Sequence, residues 1–76
     1  MPRTSIAERF GRVIKRLREE TDLSQDRFAA KAKIDRSYYS RIERGLVTPS
    51  IEVVDRLVKA LKSTHAAVGA ALDAER

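Results

Sequence analysis

The sequence predicts an all-α domain of five short helices, and three observations carry that reading. Apolar residues recur at helical spacing in every segment, no stretch alternates apolar with polar as a half-buried strand does, and aromatics are only 5% of the chain. The 76 residues suffice for a single compact domain, 1–76, with no repeat, low-complexity tract or dividing linker. A chain this short buries only ~60–65% of its unfolded surface, so its core is thin.

In the first helix, Ile6, Phe10, Ile14 and Leu17 form an i, i+4 stripe with Val13 beside it. Thr4 or Ser5 caps it, Glu8 completes a capping box with Ser5, and the helix stops near Thr21. Ser24 is the N-cap of a short second helix, with Gln25 and Asp26 in its first turn and Phe28, Ala29 and Ala32 on its buried side. Lys33 and Ile34 make a tight turn, and Asp35 caps a third helix from Arg36 to about Arg44. Gly45 ends it, because glycine takes the left-handed conformation at no steric cost. Thr48-Pro49-Ser50 leads into a fourth helix, Ile51 to Leu61, with Ile51, Val54, Leu57, Val58 and Leu61 on one face. Ser63 or Thr64 starts a fifth, alanine-rich helix, about 64–73.

Charge separates the two parts of this chain. The formal net charge is +5, and residues 1–45 hold twelve Lys and Arg against seven Asp and Glu, whereas residues 46–76 hold four of each. Such an excess suits a polyanionic partner, and equally a solvated surface rich in arginine. Other classes are excluded more firmly. There is no cysteine and one histidine, which leaves neither a disulfide framework nor a metal centre. No run of ~18 apolar residues spans a membrane. The N-terminus lacks an apolar secretion core, so the expected location is cytoplasmic. With no phosphate-cradling glycine loop, no small-molecule ligand or cofactor is expected. The carboxylates Glu19, Glu20, Asp22 and Asp26 crowd helix ends, where they suit dipoles and solubility. No enzyme is expected.

The second and third helices, about 24–44, have the lengths and the turn of a helix-turn-helix. On a wheel of the third helix, Tyr39 and Ile42 point toward the core. Ser37, Ser40, Arg41 and Arg44 point the opposite way, with Arg36 at the exposed N-terminal edge. That outer face suits DNA: a helix fits the ~12 Å major groove, and arginine grips guanine O6 and N7 with two donors.

The stretch LSQDRFAAKAKIDRSYYSRIERG, residues 23–45, resembles the Cro/repressor-type helix-turn-helix family, also called the xenobiotic-response-element type, whose fold is lambda-repressor-like. The likeness continues through RFGRVIKRLREE before it and TPSIEVVDRLVKAL after it, covering about 70% of the chain. The D-R-S-Y opening of the third helix is also similar to controller proteins of restriction–modification systems.

The resemblance implies roles for matching residues. Gln25 matches a glutamine that clamps a phosphate at a helix N-terminus. Arg36, Ser37 and Arg41 match positions that reach base edges. Tyr38 matches a position beside the sugar-phosphate or a thymine methyl, although packing against the second helix is equally open to it. Ser40 and Arg44 are placed for backbone contacts. Arg18 and Glu43 match a structural ion pair between the first and third helices. Two positions depart from the pattern: Lys33 and Lys62 stand where the family usually has glycine. If both are left-handed, each costs roughly 1–2 kcal/mol of backbone strain.

The fifth helix carries Ala66, Ala67, Gly69, Ala70 and Ala71 around Val68 and Leu72. It either lies on its own core or forms a homodimer seam, with Leu61, Val68 and Leu72 at the interface. His65 is assigned no role. The function this implies is a sequence-specific DNA-binding transcriptional regulator, a repressor or repressor/activator, bound as a homodimer to palindromic double-stranded DNA. The alternatives are the antitoxin of a toxin–antitoxin pair and a helical protein-interaction adaptor.

Overall fold

In the computed structural model, which describes residues 5–74, the chain forms α1 (Ile6–Glu20), α2 (Gln25–Ala32), α3 (Arg36–Glu43), α4 (Ile51–Ala60) and α5 (His65–Ala74). No strand occurs among the described residues. Thr4, the alternative first cap, lies outside them.

Each helix begins where a short side-chain oxygen takes a free backbone N–H. Ser5 accepts from Glu8 at 3.1 Å while Glu8 accepts from the Ser5 N–H, closing a capping box. Ser24, Asp35, Ser50 and Thr64 each accept from the N–H three residues on, at 3.0–3.2 Å. The C-terminal ends share another device. After α1, α2, α3 and α4 the chain turns through a left-handed residue: Asp22 (φ 63°), Lys33 (58°), Gly45 (72°) and Lys62 (54°). The last three turns close with the N–H groups of Ile34, Leu46 and Ser63 donating to Ala29, Arg41 and Val58 at 2.9–3.1 Å. Only one of the four left-handed residues is glycine, so Asp22, Lys33 and Lys62 hold strained backbone.

The core is drawn from every helix: Phe10, Val13 and Ile14 from α1, Phe28 from α2, Tyr39 and Ile42 from α3, Leu57 and Val58 from α4, and Val68 from α5. The Phe28 and Tyr39 rings meet at 5.3 Å between centroids, tilted by 53°, which locks the helix-turn-helix from within. α1 crosses α3 closely at Gly11, where a Cβ would stand 2.4 Å from the Ile42 carbonyl oxygen and 2.7 Å from that of Glu43.

Two residues of the apolar stripes are not buried. Ile6 is 56% exposed and Ile51 84% exposed. Each is the first residue of its helix, and helical side chains lean toward the N-terminus. Both therefore lie at the rim of the packed helices, although they are in line with their helix's apolar stripe. α4 also ends one residue early, with Leu61 as its cap.

Candidate nucleic-acid interface

α2 and α3 present their polar residues on one side of the core. Gln25, Arg36, Ser37, Ser40, Arg41 and Arg44 line a single open cleft of about 450 Å³. These six come together because α3 buries Tyr39, Ile42 and Glu43 and therefore turns its arginines outward. Asp35 caps α3 from outside its first turn, and that turn holds no acid. No carboxylate lines the cleft. Tyr38 lies outside it, half-buried against the core, with the Arg41 guanidinium 5.7 Å from its ring centroid.

Glu43 is the buried anchor beneath this surface. Its carboxylate accepts from Arg18 Nε at 2.6 Å and Nη2 at 3.3 Å, from Gln25 Nε2 at 2.7 Å, and from the Tyr39 hydroxyl. Arg18 Nη1 also donates to the Leu23 carbonyl at 2.8 Å, tying in the loop before α2. Burial pushes the Glu43 carboxyl up, but donation from Arg18, Tyr39 and Gln25 outweighs it and holds the group below the ordinary carboxylate range. Burial, and then the bond to Glu43, push the Tyr39 hydroxyl well up. Hydrogen bonding to Glu43 likewise raises Arg18. Glu43, the buried anion among the described residues, is thus matched by the largely buried Arg18, and Arg36, Arg41 and Arg44 supply the cations of the cleft lining.

The structure adds two contacts that sequence spacing did not reveal. Gln25 is half-buried and bonded to Glu43, so it is not a free first-turn side chain. Arg36 Nε pairs with Asp26 of α2, which by sequence is one more carboxylate at a helix end. Ten residues across a turn is no helical spacing, and only the packing of α2 on α3 brings that pair together.

The proposed seam residues divide. Val68 is 4% exposed and sits in its own domain's core, so it has little surface for a partner. Leu61 and Leu72 are half-buried and pack at the core's edge. Ala66, Ala67 and Ala70 face outward, and a Cβ on Gly69 would meet nothing within 4 Å. His65 Nε2 contacts Asp55 at 2.9 Å, and Lys59 contacts the same carboxylate, clasping α5 to α4.

A second basic cleft, lined by Lys31, Lys33, Arg56 and Lys59, lies where α2 and α4 both end. Cations there complement two helix C-termini, which accounts for them without a ligand. No helix among the described residues is long and apolar enough to cross a membrane, and no cluster of metal-ligating side chains occurs among them.

Comparison with known proteins identifies the family and the fold. Residues 14–68 match a family model described as helix-turn-helix. The control protein C.MunI of a Mycoplasma species is 45% identical over 60 residues, which cover 78% of this chain and 81% of that protein. The restriction–modification controller protein C.Esp1396I, solved as a tetramer in complex with its natural 35 base-pair operator, superposes with a TM-score of 0.88 at 27% identity, covering 96% of each chain. The clp gene regulator ClgR from C. glutamicum superposes with a TM-score of 0.91, covering 97% of this chain and 95% of that one; its 22% identity makes this a likeness of fold alone.

Proposed function

Because the chain belongs to the helix-turn-helix family, we propose that it is a sequence-specific DNA-binding transcriptional regulator, akin to the controllers of restriction–modification systems. The observation that carries this reading is the cleft itself: three arginines, two serines and a glutamine gathered from α2 and α3, with no acid in the lining. An adaptor using the same fold would have no reason to furnish that surface. Its kinship to a control protein at 45% identity supports the narrower class.

In this reading α3 enters the major groove. Arg36, Ser37 and Arg41 read base edges, with Tyr38 beside them under the Arg41 guanidinium. Gln25, Ser40 and Arg44 hold phosphates and set the register, as backbone contacts do in protein–DNA interfaces. The Arg18–Glu43 pair is structural and fixes α3 to α1. No catalytic step and no cofactor belongs to the mechanism.

The regulator acts as a homodimer on a palindromic site, with half-site centres about 34 Å apart, one helical turn. An apolar cleft lined by Ile6, Ala7, Phe10, Pro49, Val54 and Leu72 supports a seam that includes Leu72. Leu61 is half-buried and lines a separate cleft with Leu17 and Thr21, and Ile6 is an exposed apolar residue a partner would cover.

Selection from random duplex DNA, read together with the protein's mass in solution, tests this. The expected result is a dimer enriching a two-fold sequence whose half-sites are one turn apart. A protein that enriches no sequence contradicts the reading.

A further inference from the structure

Asp26 lies in the first turn of α2 and Arg36 is the first residue of α3. Their ion pair joins Arg36 Nε to an Asp26 carboxylate oxygen. An arginine reading guanine uses two N–H groups at once, and both side chains of the pair are well exposed, so the Arg36 guanidinium stays accessible to a base while Asp26 holds it. The helices carrying the pair are fixed to one another by the buried Phe28–Tyr39 contact, so the backbones that bear Asp26 and Arg36 keep a constant spacing.

We propose that Asp26 is a positioning residue that holds the Arg36 guanidinium for one base and raises sequence selectivity at the expense of overall affinity. The inference rests on the DNA-binding reading above. Two effects of the carboxylate act in opposite directions. Its negative charge repels the phosphate backbone of any duplex equally. Its contact with Arg36 restricts a long side chain before binding, which reduces the ordering that binding requires. The second effect benefits only the sequence whose base lies where the guanidinium is held. On another sequence Arg36 must leave Asp26 to find a partner, and the repulsion remains uncompensated.

Both side chains are well exposed, at 71% and 62%, and exposed pairs are weak. The expected effect on selectivity is therefore modest, about 3- to 10-fold. Asp26→Asn keeps the side chain's size and removes its charge. Against the duplex obtained by selection and a scrambled one, Asp26→Asn should bind the scrambled DNA about 3-fold more tightly. It should gain nothing on the selected site and relax the preference at one base pair in each half. The same substitution in an Arg36→Ala background should leave the ratio of the two affinities unchanged. In the free protein, Asp26→Asn should move the Arg36 Nε–H resonance while leaving those of Arg41 and Arg44 in place.

Equal tightening on both duplexes would overturn the proposal, because charge alone would then account for it. So would an unchanged ratio, or a fall in the ratio that persists without Arg36. If the wild-type chain binds both duplexes equally, the DNA-reading assignment itself fails, and this inference with it. Selective wild-type binding with an inert Asp26→Asn fails this inference alone.

Discussion

The Gln25 side-chain amide donates to Glu43 Oε1 at 2.7 Å, joining the first residue of α2 to the last residue of α3. A carboxylate only accepts, so this bond fixes which end of the amide faces inward. The second N–H of Gln25 Nε2 stays available at the edge of the cleft, beside a helix N-terminus where a phosphate is favoured. Gln25 therefore serves two partners: Glu43 below and, in the proposed complex, a phosphate above.

Gln25→Ala should accordingly weaken DNA binding by about 1–2 kcal/mol, to a similar degree on selected and scrambled duplexes, because phosphate contacts carry no sequence information. The amide is neutral and displaces no counterion, so the salt dependence should keep its slope. Parallel titrations of both duplexes at several salt concentrations check this. A loss confined to one base sequence would assign Gln25 to base reading instead.

Replacing the arginines should separate reading from positioning. Arg36→Ala and Arg41→Ala should each cost roughly 1–3 kcal/mol on the selected site and relax preference at one base pair. Arg44→Ala should weaken binding to every sequence and reduce the salt slope by about 1. Arg41→Ala also removes the cation 5.7 Å from the Tyr38 ring, so helicity and melting should be measured beside affinity. Unaltered affinity and preference in both Arg36→Ala and Arg41→Ala, with helicity intact, would mean that another face binds DNA.

The Glu43 cluster gives the fold an acid-side limit. Its carboxyl is held below the ordinary value of 4.5. A group depressed on folding stabilises fully above its unfolded pKa and loses that contribution as pH falls through the lower folded value. Urea midpoints should therefore be flat near neutrality and fall from about pH 4.5 downward. Glu43→Gln leaves Arg18 buried without its counter-charge and should cost about 3–5 kcal/mol. The paired replacement Arg18→Met with Glu43→Met should lose less and show a shallower acid slope. An equal acid slope in that double variant would place the dependence on other carboxylates.

Much of this architecture is legible in the residues, and the exceptions share a physical cause. Ser5, Ser24, Asp35 and Ser50 announce their helices because capping is local, and the outward set on α3 follows from one wheel. The contacts between helices do not follow from any wheel. Gln25 to Glu43 and Asp26 to Arg36 depend on how α2 rests on α3. Gly11 is required by the crossing of α1 over α3, and its only trace in the sequence is a glycine inside an otherwise good helix. Ile6 and Ile51 fit the apolar stripe yet stay exposed, because a wheel has no ends. Val68 belongs to the core for a similar reason: periodicity cannot say which apolar surface faces a partner.

Two strained turns offer a route to a more stable protein. Lys33 and Lys62 are left-handed, and glycine removes the Cβ clash there, offset in part by its greater freedom when unfolded and by loss of a cation near a helix C-terminus. Lys33→Gly and Lys62→Gly should each stabilise by about 0.5–1 kcal/mol, raising the melting temperature by roughly 2–8 °C. Lys62→Gly should leave DNA affinity unchanged, since that turn is remote in sequence from α2 and α3. Thermal melts with binding titrations test both.

In the proposed complex the arginine-lined cleft binds the DNA backbone as well as its bases. The most direct test is the salt dependence of binding to the selected duplex. A dimer neutralising about 6–8 phosphates should give a log–log slope of about −5 to −7. A slope near zero would contradict the account.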